Sequence, residues 1–119
     1  MSSSLNIHQR NDGSVVILHL SGTLDGHTFV EMERAMKELV AAGNKIFVVE
    51  LSELTYIASA GVGVFINVQQ TVSEHGGGLL LVDPSPVVKE VFDILGLQAL
   101  FQIHSSTEHA LAAAERLDG

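Results

Sequence analysis

The sequence predicts a single α/β domain over residues 1–119, a mixed β-sheet with helices packed on it in the order β-β-α-β-α-β-α-β-α. Three observations carry that expectation. Two near-continuous apolar runs, Lys45–Leu51 and Leu79–Val82, read as strands covered on both faces. Stretches of helical period lie between and after them. Ahead of both, Asn11-Asp12-Gly13 separates two short strand-like segments, and Asp-Gly is a strong hairpin signal.

The first strand is expected over Leu5–Gln9, which alternates in polarity, and the second over Ser14–Leu20, antiparallel to it. Ser21 to His27 reads as a loop of turn-tolerant residues. Thr28 and Glu31 have capping-box spacing, and Phe29, Met32, Met36, Leu39 and Val40 then recur at helical intervals. Gly43-Asn44 should close that helix in a left-handed cap. After the Lys45–Leu51 strand, the segment to Ala58 reads as a connection, and a second helix runs from about Ser59 to Glu74. His75-Gly76-Gly77-Gly78 ends it as a turn into the Leu79–Val82 strand. Ser85-Pro86 starts a third helix, with serine at the cap and proline in the first turn. Its apolar stripe is Val88, Val91, Phe92 and Leu95, and Gly96 closes it. Phe101-Gln102-Ile103 reads as a short edge strand. Ser105 and Glu108 form a second capping box for a last helix through Ala110, Leu111 and Ala114.

Composition limits what the domain can do. Hydrophobic residues make up 46% of the chain, yet only five Phe and one Tyr are aromatic, so the core is aliphatic. No apolar run approaches the ~20 residues that span a bilayer. The start of the chain lacks the basic and apolar segments of a signal peptide. With no cysteine as well, a reducing cytoplasm is the expected compartment. Acidic residues outnumber basic ones 14 to 6, for a formal charge of −8, and the six cations are scattered. Nucleic-acid binding is therefore not expected, because its affinity comes largely from neutralised phosphates. An acidic surface suits a basic protein partner, although solubility alone accounts for the same charge.

Catalytic constellations are hard to assemble from these residues. Ile57-Ala58-Ser59-Ala60-Gly61 superficially has the outline of a hydrolase nucleophile elbow, but the first glycine is missing and about seven residues are expected between the strand end and Ser59. Asp25 and His27 precede the serine, whereas acid and base follow it in that fold. Gly61-Val62-Gly63 lacks the third glycine of a dinucleotide fingerprint, and Gly76-Gly77-Gly78 leads into a strand and carries no P-loop lysine. The six histidines show no paired ligand spacing, so no metal is expected; His19, in an apolar strand, reads as a satisfied or edge histidine. No cofactor is implied.

Ser59 remains. At a helix N-cap its hydroxyl would accept a backbone N–H one turn in, worth ~1 kcal/mol. Two features of its context go further. Val62, Val64, Phe65, Ile66 and Val68 make the helix body apolar, so the body should be buried with its N-terminus at the surface. Ala58, Ala60, Gly61 and Gly63 leave the hydroxyl uncrowded. A phosphate there would add roughly −1.5 to −2 charges, tolerated by the helix dipole and not by a desolvated interface.

The stretch Glu50-Leu51-Ser52-Glu53-Leu54-Thr55-Tyr56-Ile57-Ala58-Ser59-Ala60-Gly61-Val62-Gly63-Val64 resembles the signature of STAS domains, the bacterial anti-sigma-factor antagonists. Leu20 to Asp25 is similar to the family's second-strand motif, and Gly77–Val82 with Pro86-Val87-Val88-Lys89 matches its later half. The resemblance implies a protein that binds an anti-sigma factor, itself a serine kinase, and so releases a sigma factor. It also implies phosphorylation of Ser59 by that kinase and reversal by a serine phosphatase. The partner surface carried over comprises Asp25, Thr28, Ala58, Ser59, Ala60, Gly61 and Val62. Many phosphorylated members have an acidic residue where this chain has Ala58. The resemblance also admits a second role, as an accessory subunit binding the ATPase of a lipid transport complex. Oligomeric state is left open.

Overall fold

The structure, a computed structural model, describes residues 4–118. Its elements are β1 (Leu5–Asp12), β2 (Val15–Leu24), α1 (Phe29–Ala41), β3 (Ile46–Ile57), α2 (Ser59–Ser73), β4 (Gly78–Val82), α3 (Pro86–Leu95), β5 (Gln102–His104) and α4 (Thr107–Asp118), with a 3₁₀ turn at Leu97–Ala99. The expected order of strands and helices is the observed one. The five strands form one sheet in sequence order, β1 antiparallel to β2 and every later pair parallel.

Alternation along the strands divides the core in two. Val16, Leu18 and Leu20 of β2, Phe47 and Val49 of β3, and Leu79 and Leu81 of β4 point to the face covered by α1, α2 and α3. Val15, Ile17, Ile46, Val48, Leu80 and Val82 point to the other, where α4 lays down Ala110 and Ala114. Strands buried on both faces leave no polar alternation, which is why β3 and β4 begin as apolar runs.

Several boundaries move from their expected places. The hairpin loop is Gly13-Ser14, since Asp12 already pairs with Val15, and Gly13 takes the left-handed φ of +59°. β2 continues through Ser21–Leu24 instead of yielding to a loop. β3 runs on to Ile57 where a connection was expected, and the cause lies in its register. Between His19/Ser21 and again between Gly22/Thr23 on β2, β3 carries one extra residue. Two bulges stretch the inward spacing from two to three, so Leu51, Leu54 and Ile57 are the buried positions. A pattern of period three is invisible to a search for alternation.

The caps also rearrange. Thr28 precedes α1 but makes no capping box with Glu31, because its hydroxyl turns back to Thr23 and Asp25. Gly43 and Asn44 close α1 as expected, at φ +100° and with the Asn44 N–H on Leu39 O at 3.1 Å. Ser85 stands before α3, yet its hydroxyl donates to Leu54 O of β3, so it ties the helix start to the sheet. Leu95, expected on the buried stripe of α3, is exposed beside Ile94. The cap of α4 is Ser106, one residue later than expected, accepting the His109 N–H at 3.2 Å. Gly77 is a matter of contact more than flexibility: a Cβ there would lie 1.9 Å from Lys45 O.

Candidate functional site at the β2–α1 and β3–α2 junctions

β4 pairs with β3 only as far as Glu50–Val82, whereas β2 accompanies β3 to Leu24–Ile57. The β2–β3 pair therefore projects past its neighbours, and both chains leave the sheet there side by side. The Ala58 N–H donates to Leu24 O at 2.8 Å and clamps the two exits together. Asp25 follows one exit and Ser59 the other, so the two residues separated in sequence meet on one corner.

On the Ser59 side, Ala58 and not Ser59 is the N-cap of α2. It is extended (φ −101°, ψ 168°), and its carbonyl accepts the N–H groups of Gly61 and Val62 at 2.9 and 3.1 Å. No side chain caps the helix. Ser59 is the first helical residue and is exposed, so its hydroxyl has no capping duty. Ala60 beside it is half-buried. Gly61 and Val62, also carried over by resemblance, are buried, Val62 against the core.

On the other side, Asp25 folds its own loop. Its Oδ1 accepts the backbone N–H groups of His27 at 2.8 Å and Thr28 at 3.0 Å. Thr28 is 2% exposed; its hydroxyl donates to Thr23 O at 2.8 Å and accepts the Asp25 N–H at 2.9 Å. Thr28 thus shapes the loop from beneath. What the corner offers is Asp25, Gly26 and His27 from one loop and Tyr56, Ala58, Ser59 and Ala60 from the other.

This geometry changes one argument against hydrolysis. Only Ala58 separates the end of β3 from Ser59, so the expected gap of about seven residues does not exist. The first elbow glycine is still missing, since Ile57 occupies its place. The Asp25 carboxylate is also committed to backbone N–H groups of its own loop, which is the work of a turn residue.

A second polar cluster lies on the α4 face. Glu50 accepts two hydrogen bonds from Arg10, at 3.0 and 2.8 Å, and one from the Thr107 hydroxyl of α4. His19 lies between Glu50 and Glu53, Nδ1 at 3.0 Å and Nε2 at 2.7 Å, which satisfies it as expected of a strand histidine. The Arg10 guanidinium, aided by Thr107 and His19, outweighs burial and lowers the Glu50 pKa to about 2. Sequence reasoning missed this cluster; its signal was an acidic residue inside an otherwise apolar strand. Among the described residues, no group of three or more His, Asp or Glu side chains could hold a metal ion. No helix among them is long and apolar enough to cross a membrane.

Comparison with known proteins agrees with the geometry. The family model of the STAS domain matches residues 6–110. BtrV of Bordetella bronchiseptica, assigned as an anti-sigma factor antagonist, is 32% identical over 99 residues, covering 83% of this chain and 85% of that protein. The crystal structure of an anti-sigma factor antagonist from Mycobacterium paratuberculosis superposes with a TM-score of 0.86 at 21% identity, over 94% of this chain and 95% of that one. The Bacillus cell fate determinant SpoIIAA, solved in its phosphorylated form, gives a TM-score of 0.72 at 21% identity, over 91% of this chain and 98% of its own.

Proposed function

The chain belongs to the STAS domain family of anti-sigma factor antagonists, and from that premise we propose that it binds a cognate anti-sigma factor with serine-kinase activity through the corner carrying Ser59. Binding takes place in the cytoplasm and regulates transcription indirectly, by freeing a sigma factor. The protein is a regulator by binding and not an enzyme. The kinase transfers a phosphoryl group from ATP to the Ser59 hydroxyl, the complex dissolves, and a serine phosphatase restores it.

The observation that carries this reading is the position of Ser59: exposed, first in α2, and free of any capping role. A phosphate there meets the positive end of the helix dipole, a favourable interaction of ~0.3–1 kcal/mol. The fold therefore tolerates the modification. An interface does not, since a charge desolvated without a partner costs several kcal/mol. Asp25, on the same corner, adds its own negative charge to that of the phosphate. Ala58 replaces the acidic residue that many phosphorylated relatives carry, so recognition by the kinase rests on the shape of the corner and not on a charge before the serine.

Calorimetric titration against the cognate kinase tests the switch. Ser59→Glu should melt within a few degrees of the parent and lose at least ~100-fold in affinity, about 2.7 kcal/mol. Ser59→Ala should bind like the parent and stay bound when ATP is added. Undiminished binding by Ser59→Glu would sink the phosphorylation switch and leave membership of the family untouched.

A further inference from the structure

Helix α3 is more apolar than its place in the fold requires. At ~100° per residue its apolar positions sweep, in order around the axis, Ile94, Val87, Val91, Leu95, Val88 and Phe92, an arc of about 160°. The sheet covers only one end of that arc. Val88 and Phe92 are buried, while Val87 is 50% exposed and Ile94 75% exposed at the other end. Beyond the helix, the 3₁₀ turn Leu97–Ala99 leads to Leu100, which is 54% exposed. Leu100 and Phe101 form one wall of a notch of about 190 Å³, with Ile66, Gln69 and Gln70 of α2 on the other. That volume suits one branched or aromatic side chain. Four of the seven large apolar side chains exposed among the described residues, Val87, Ile94, Leu95 and Leu100, belong to this segment.

We infer that this face of α3 is a docking surface for a partner's amphipathic helix with a basic rim, separate from the Ser59 corner. Charge selects that occupant over the others an apolar face could take. The polar side of α3 carries Glu90 and Asp93 against Lys89 alone, on a chain of net charge −8. A second copy would bring the same acidic rim and another eight negative charges. An anionic membrane surface would repel both. A helix with apolar residues at i, i+3, i+4 and i+7 fits the ridge, inserts one side chain in the notch, and matches the acidic rim with lysine or arginine.

The test uses the full-length, ¹⁵N-labelled protein and a synthetic helical peptide with leucines at that spacing and lysines on both flanks. Amide shifts confined to α3, residues 97–101 and Ile66–Gln70 are expected below about 1 mM peptide. Ile94→Lys, at a position too exposed to unfold the chain, should weaken binding at least ~10-fold, and Leu100→Ser should do so without altering charge. Ser59→Glu should bind the peptide like the parent, which separates this surface from the switch. The same peptide with glutamate flanks should bind weakly. Equal binding by the glutamate peptide, shifts mapping elsewhere, or no shifts at all would overturn the proposal. So would a concentration-dependent dimer in sedimentation equilibrium that buries the same residues.

Discussion

Glu50 joins three elements: Arg10 reaches it from β1, His19 from β2 and Thr107 from α4. Its side chain is 13% exposed, and the Arg10 hydrogen bonds outweigh the cost of burying the charge. Because its pKa falls from 4.5 to about 2, the unfolded chain takes up this proton before the folded one does. The contribution to stability is therefore complete above about pH 4.5 and is lost as the pH falls towards 2. Urea unfolding of the parent should show that loss across this window, and Glu50→Gln, less stable at pH 7, should show a shallower one. Parallel pH profiles would refute the assignment. At this scale the sequence placed Ser59 and Thr28 at helix starts but misread both as side-chain caps. A serine before an apolar helix and a Thr-x-x-Glu spacing both suggested side-chain caps, yet Ala58 is the N-cap of α2, and Thr28, although it precedes α1, turns its hydroxyl to Thr23 O. Side-chain hydroxyls choose among nearby carbonyls that only the folded chain supplies.

Among the elements, α2 joins the corner to the core, and its two early glycines do opposite things. A Cβ on Gly61 would lie 2.5 Å from Leu24 Cγ and 3.2 Å from Ile57 Cγ1, both in side chains with nowhere to move. Gly61→Ala should destabilise the protein by ~1–3 kcal/mol despite alanine's better helix propensity. Gly63 meets nothing within 4 Å, so Gly63→Ala should stabilise by ~0.5–1 kcal/mol. Chemical denaturation reads both signs, and equal signs would contradict this packing. From sequence the pair looks alike, small residues near a serine. Only the approach of Leu24, from a strand read as ending at Leu20, tells them apart.

For the whole molecule, order and class were legible because strands buried on both faces have an unmistakable composition and the helices between them keep their period. The extent of β2 and β3 was not. Their last residues lie beyond β4, where the sheet narrows to a pair and the bulges break alternation. Those bulges have a consequence for chain length. A residue that is surplus to the ladder can be removed without turning the strand over. With Ser52 gone, His19 still faces Glu50 and Ser21 still faces Glu53, so Leu54, Ile57 and Ser59 keep their stations. Removing Val49, which pairs on both sides, inverts everything that follows it. A Ser52 deletion should therefore melt cooperatively near the parent, and a Val49 deletion should not fold. Related chains aligned to this one should accumulate their single-residue gaps at these two places, where the count can change and the corner stays where it is.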